Sequence, residues 1–202
     1  VEGNIREPKT TREAIAIFEN FDLINEPGSA YSYSSYGYNL LGAAIEGASG
    51  RKYSDVMQES VWTPAGMTDT RMDSPVDLIP HRVTGYRLDE GEIKRSGFVD
   101  ISSRFAAGGT RSTVVDMVRF AKAVDDGRLL DAEWIDRMWS SAQTTSGRLV
   151  HYGLGWSVFS VNGHYQVNHS GSQQETRTLL IYFPAKDLAI AFASNFEEAD
   201  FG

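Results

Sequence analysis

The sequence predicts an α+β fold in which helices come first and an antiparallel sheet comes last. Two observations carry that expectation. Segments with a helical apolar period stop near Gly153, and beyond it the apolar residues follow an extended pattern. Within that last part Asn162-Gly163 separates two β-rich runs, the strongest short-range hairpin signal, because both central residues need φ > 0. A chain of 202 residues can bury one full core. We therefore expect a single domain over 1–202, mainly helical over 1–147 and mainly sheet over 148–202.

The elements follow in order. Thr10 and Glu13 form a Thr-x-x-Glu capping box ahead of "REAIAIFENF", which predicts a short helix. In "GYNLLGAAIEGAS" Tyr38, Leu41, Ile45 and Ala48 recur at helical spacing and predict a buried face. Ser34 or Ser35 can cap that helix, and Gly50 can end it in the left-handed conformation. Ser54 is expected to cap "DVMQESVW", which Pro64 should end. From Asp69 to Gly108 the chain reads as loops with strand-like pieces in "HRVTGYRL" and "GEIKRS". Thr113 and Asp116 form a second capping box, and Val114, Met117, Val118, Ala121 and Val124 share one face of the helix it opens. Asp131 is positioned to cap "DAEWIDRMWSS". Finally "GWSVFSV", "HYQVNHS", "TRTLLIYFP" and "LAIAFASN" predict a four-stranded meander, the last two strands joined by a Pro-Ala-Lys-Asp turn.

Composition excludes several functions. A net charge of −8 argues against nucleic acid or anionic lipid as a partner, since both need a cationic footprint. No apolar run is long enough to span a bilayer, and the first ten residues lack the apolar core of a signal peptide. The absence of cysteine removes disulfide, zinc-thiolate and cysteine-nucleophile readings and leaves the compartment open. His81, His151, His164 and His169 are not spaced with carboxylates as a metal cluster would be, and no cofactor is expected. There is no G-x-S-x-G elbow, Walker A sequence, strand-following G-x-G-x-x-G or H-E-x-x-H.

Five separated pieces carry a resemblance. "PGSAYSYSSYGYNLLGAAIEGASGRKY" resembles the Pro-Gly, Tyr-Ser-Asn and Leu-Leu-Gly segment of the serine β-lactamase-related hydrolases. "WTPAGMTDT", "AAGGTRSTVVDMVRFAKAVDDGRLL", "YGLGW" and "NHSGSQQETRTLLIYFPAKDLAIAFASN" are similar to later segments of that superfamily, in the same order. Its members include class C β-lactamases, DD-peptidases, lactamase-like esterases and the mitochondrial lactamase-like serine protease. The resemblance implies a β-lactamase/transpeptidase-like fold, an antiparallel sheet packed with a helical region, lacking here its N-terminal strands. It leaves the compartment periplasmic or secreted in a bacterium and mitochondrial in a eukaryote.

The chemistry implied is acyl transfer through the serine of a Ser-x-x-Lys motif, on a small ester or peptide-like substrate. Residue by residue, the resemblance maps the family's proton-shuttling tyrosine to Tyr33 and the asparagine of its Tyr-x-Asn motif to Ser35. Its Lys/His-x-Gly strand falls on His169, Ser170 and Gly171, and its oxyanion-binding N–H on Ser172. Position supports Tyr33 independently. It precedes a predicted helix start, where unpaired N–H groups favour a negative charge and so suit a general base. Tyr31, Tyr36 and Tyr38 read as packing, Asp116 as a cap, and His81, His151 and His164 as loop or strand-surface residues.

Departures matter as much. The one Ser-x-x-Lys is Ser49-Gly-Arg-Lys52, interrupted by a glycine at a helix end, and it reads as a helix stop rather than a nucleophile. The nucleophile is therefore expected upstream of Val1, on a complementary N-terminal fragment. Serine at 35 and histidine at 169 weaken the expected grip on a β-lactam, which favours esterase or peptidase activity and a weak β-lactamase at most. The alternative is a non-catalytic binding or scaffold relative. Gln174 and Glu175 stand where the family often has Pro-Gly, so the loop there is expected to differ in shape.

Overall fold

A computed structural model describes residues 7–74 and 76–201. Helix α1 (Thr11–Ala16) opens with the reciprocal capping box: Glu13 N–H donates to Thr10 Oγ1, and Thr10 N–H donates to the Glu13 carboxylate at 2.8 Å. Helix α2 (Ser35–Ser49) is capped by Ser34, whose hydroxyl accepts from Gly37 N–H at 3.1 Å, and ends at Gly50 with φ 65°.

The face expected to bury α2 is a correction. Leu41 and Ile45 are 58% and 37% exposed, whereas Asn39 and Gly42 are buried. Asn39 reaches the chain around residue 105, donating to Ser103 C=O and accepting from Ala107 N–H. Gly42 lies so close to Phe105 and Ala106 that a Cβ there would overlap both. Polar satisfaction and a missing side chain thus outweigh apolar periodicity.

The next helix also departs from expectation. Helix α3 (Tyr53–Met57) starts before Ser54, because the Glu46 carboxylate accepts the Tyr53 N–H at 2.8 Å and Ser54 caps nothing. A π-helical turn over Gln58–Trp62 leads into α4 (Thr63–Ala65), so Pro64 sits inside the last turn. Proline lacks an N–H and crowds the preceding turn, and a widened turn before it relieves both problems. Gly66, at φ 71°, is the actual stop.

Short strand β1 (Arg71–Met72) precedes a hairpin of β2 (Tyr86–Asp89) and β3 (Glu92–Arg95), turned by Glu90 and Gly91 at φ 53° and 84°. Strand β4 (Thr110–Arg111) returns to pair with β1. Helix α5 (Val114–Asp125) starts at Thr113, but only half of its predicted box forms. Thr113 accepts the Asp116 N–H, while the buried Asp116 carboxylate turns away from the cap and accepts from Asp69 N–H, Thr70 and Arg119. Helix α6 (Ala132–Met138) begins after Asp131, whose side chain makes no capping bond. A small hairpin of β5 (Ala142–Gln143) and β6 (Leu149–Val150) follows.

Four strands close the chain: β7 (Ser157–Val161), β8 (His164–Gln173), β9 (Thr176–Phe183) and β10 (Leu188–Ser194). They form the antiparallel meander in the order β10-β9-β8-β7, with Asn162 and Gly163 turning the first hairpin at φ 50° and 79°. One sheet face packs on α5 through Val158, Val167, Leu180 and Tyr182 against Ala121 and Val124, with Trp139 and Trp156 between. Of the predicted α5 face, Val114 instead stays exposed. The pairing has one consequence for function. Strand β7 pairs with β8 only as far as Asn168, whereas β9 pairs with it to Gln173, so among the described residues β8 has a β-strand neighbour on one side only from His169 onward.

Candidate active site

The open side of β8 faces a cleft of about 1060 Å³. Its lining brings together every site residue expected from the sequence: Tyr33, Ser35, His169, Ser170, Gly171 and Ser172. Tyr33 and Ser35 flank the capping Ser34 at the start of α2, and Tyr33 is 55% exposed. The Tyr33 and His169 rings lie 6.1 Å apart between centroids.

One further residue joins them. The Tyr152 hydroxyl is 2.9 Å from His169 Nε2, and its ring stands edge-on to Tyr33 at 6.3 Å. Its backbone is fixed on both sides: Tyr152 N–H donates to Val150 C=O, its own C=O accepts from Ala142 N–H, and Gly153 N–H donates to Trp156 C=O. Tyr152 went unassigned from the sequence, although it opens the "YGLGW" segment that carries part of the resemblance.

Burial sets the electrostatics. It lowers the His169 imidazole below its ordinary value, against an interaction with the Ser170 backbone that pulls the other way. Burial also raises the phenols of Tyr31, Tyr38 and Tyr152; neighbouring tyrosines add to the effect at Tyr31 and Tyr152, whereas at Tyr38 the hydrogen bond with Tyr152 opposes it. These three hydroxyls are therefore reluctant to ionise.

The neighbours sort themselves. Tyr36 stacks on Phe18 at 4.6 Å and is a packing residue. Tyr31 is 45% exposed and packs against Tyr152 at 5.2 Å on the border of the cleft. His151 also lines the cleft, stacked on Phe159. Gln173 and Gln174 tie the end of the β8–β9 hairpin to the opposite wall by donating to Gly108 C=O and Gly97 C=O. Glu175 adopts φ 71° in that turn, a glycine-like conformation held against Gly85.

Among the described residues no lysine lines the cleft. Ser49 lies at the opposite end of the 15-residue α2 from Ser35, roughly 20 Å along the axis, and its hydroxyl accepts from Arg51 N–H. The chain's Ser-x-x-Lys is thus remote from Tyr33 and His169. Among the described residues no group of three or more His, Cys, Asp or Glu side chains could hold a metal ion, and no helix is long and apolar enough to cross a membrane.

Comparison with known proteins adds the following. The sequence matches the Beta-lactamase family over residues 3–201. It is similar to Penicillin-binding protein 4* of Bacillus subtilis, with 29% identity over 187 residues covering 86% of this chain and 41% of the relative. It is also similar to the mitochondrial serine beta-lactamase-like protein LACTB of Homo sapiens, with 35% identity over 113 residues covering 55% of this chain and 20% of the relative. Among solved structures, a D-stereospecific amidohydrolase from Streptomyces sp. superposes with a TM-score of 0.82 at 21% identity, over 95% of this chain and 58% of the other. The chain therefore spans about two fifths of the length of the penicillin-binding relative.

Proposed function

Because the chain belongs to the Beta-lactamase family, we propose that it forms the substrate-binding wall of a serine hydrolase that cleaves ester or peptide-like amide bonds through an acyl-enzyme. The observation that carries this reading is the convergence of Tyr33, His169 and the unpaired side of β8 on one cleft. An extended substrate can lie along such a strand edge and satisfy its backbone groups. The Ser172 N–H, borne on a sheet strand, is rigid enough to stabilise a developing oxyanion.

In this reading Tyr33 is the general base: its hydroxyl oxygen takes the proton of a serine supplied from outside these residues as its own proton passes on to the leaving group. His169 positions substrate as a neutral ring. A neutral imidazole offers one donor and one acceptor. The Tyr152 hydroxyl and His169 Nε2 share one hydrogen bond, and the tautomer of the ring decides which of them donates. A neutral His169 stands where the family's strand motif carries lysine. Of the two arginines that line the cleft, Arg111 is engaged by Asp73 at 2.6 Å, so the grip on a β-lactam carboxylate at that strand is weaker and β-lactamase activity should be low.

The remoteness of Ser49-Lys52 is expected on this reading as well, and the second reading is a non-catalytic binding or scaffold relative. A labelled fluorophosphonate probe on the complete protein separates the two, since covalent labelling supports the hydrolase and its absence in a folded sample supports the scaffold. Within the hydrolase reading, Tyr33→Phe should lower ester hydrolysis about 100-fold or more. Full activity in that variant would remove Tyr33 from the mechanism.

A further inference from the structure

A chain of hydroxyls connects the cleft to a fully buried carboxylate. Ser112 Oγ lies 2.8 Å from Thr70 Oγ1, and Thr70 Oγ1 lies 2.8 Å from Asp116 Oδ2. Ser112 is exposed on the cleft lining, Thr70 is buried, and Asp116 is buried completely. The Asp116 carboxylate is paired with Arg119 at 2.8 Å and accepts the Asp69 N–H as well.

Proton counting along this chain gives a definite polarity. An ionised carboxylate only accepts, and each hydroxyl has a single proton to donate. Thr70 spends its proton on Asp116, so across the 2.8 Å contact Ser112 is the donor and Thr70 the acceptor. The Thr113 carbonyl, 3.4 Å from Ser112 Oγ, is a second acceptor for that same proton. In either case the proton of Ser112 is spent inside the protein, and only lone pairs remain toward the cleft.

We propose that Ser112 is a substrate-binding residue that accepts a hydrogen bond from a ligand N–H, with Thr70 and Asp116 as positioning residues that fix its polarity. This rests on the reading of the cleft as the substrate site, and it narrows the substrate to one with an amide or ammonium donor on the Ser112 side. An ester oxygen or carbonyl placed there would meet lone pairs and be rejected.

The test uses binding, so that it stands apart from catalysis. N-acetylglycine methyl ester and methyl acetoxyacetate differ in having N–H or oxygen at one position and carry no other N–H, and each can be titrated against the chain while the backbone amide signals of Ser112 and Thr113 are followed by NMR. The N–H ligand should bind about 5-fold more tightly. That preference should vanish in Ser112→Ala, shrink in Thr70→Val, where only the longer 3.4 Å contact to the Thr113 carbonyl is left to hold the Ser112 proton, and survive in Thr70→Ser. The conservative Thr70→Ser variant separates polarity from folding if Thr70→Val is unstable. Equal affinities in the wild type, a preference retained in Ser112→Ala, or no binding of either ligand would overturn the proposal. So would a neutron structure with the Ser112 hydroxyl deuterium directed into the cleft. Loss of hydrolysis in Tyr33→Phe bears on the acyl-enzyme reading and leaves these binding ratios untouched.

Discussion

Gly153→Ala probes how the fold delivers Tyr152 to His169. A Cβ at position 153 would sit 2.8 Å from the Ser140 carbonyl oxygen and closer still to that of Met138. Both obstacles are backbone atoms at the end of α6, and the Met138 carbonyl already accepts the Leu154 N–H at 3.0 Å. Neither can swing aside as a side-chain tip would. The turn must retreat by roughly 1 Å to reach ordinary contact. Overpacking of this kind costs about 1–3 kcal/mol, and a backbone obstacle puts it toward the upper end. Alanine offsets about 0.5 kcal/mol by restricting the unfolded chain. The net loss is about 2 kcal/mol, measurable by urea unfolding or as a fall in Tm of roughly 4–8 °C. The same retreat stretches the 2.9 Å Tyr152–His169 bond past hydrogen-bond range, so the His169 ring resonances should move. A variant within about 0.5 kcal/mol of wild type, with unmoved His169 signals, would refute the idea that this turn fixes Tyr152.

Three further outcomes follow from buried and half-buried titratable groups. Asp116→Ala orphans the Asp69 N–H and the Thr70 hydroxyl and should cost about 3 kcal/mol in urea unfolding, whereas a loss below about 1 kcal/mol would mean that the carboxylate anchors nothing. Burial raises the Glu175 carboxyl, aided by Asp73 and Glu197 against Arg82 and Arg111, so its ionised form is penalised in the fold. Glu175→Gln should therefore raise Tm at pH 7, and the gain should disappear below the unfolded value of 4.5; a gain that persists in acid would contradict the sign. The His169 ring is lowered, so the unfolded chain binds a proton first as pH falls below 6.5. Stability should drop from there down through the folded value and then level off, and His169→Gln should show a shallower dependence in the same thermal scans.

Local signals were legible in the sequence. The Asn162-Gly163 turn, the Ser34 and Gly50 ends of α2 and the reciprocal box on α1 each depend on residues within four positions of one another. What failed was the choice of partner. Periodicity correctly gives α2 an apolar side, but burial follows whatever the neighbouring chain supplies, and here that is the segment holding Asn39 and closing on Gly42. Asp116 looked like a cap because its cap partner is three residues away, whereas its carboxylate serves Asp69 and Thr70 some 47 and 46 positions back. Tyr152 escaped for the same reason, since nothing near it in sequence announces an imidazole 17 residues on.

The His-Ser-Gly-Ser run of β8 binds these strands of reasoning together. Serine and glycine are poor strand formers, and a central strand built from them should be weak. Gly171 is required by its neighbour, because a Cβ there would overlap the Thr178 hydroxyl across the β9 pairing. The serines have no such reason: Ser170 and Ser172 are both exposed, on the stretch that β7 leaves unpaired. A bare strand edge in a natural protein is ordinarily blunted by lysine, proline or a covering element. Between His169 and Gln173 this one carries only glycine and small hydroxyl side chains, and its flank opens into the cleft beside Tyr33. Small residues on an unguarded edge cost sheet stability and leave room for another extended backbone, which is the arrangement a peptide-like substrate needs.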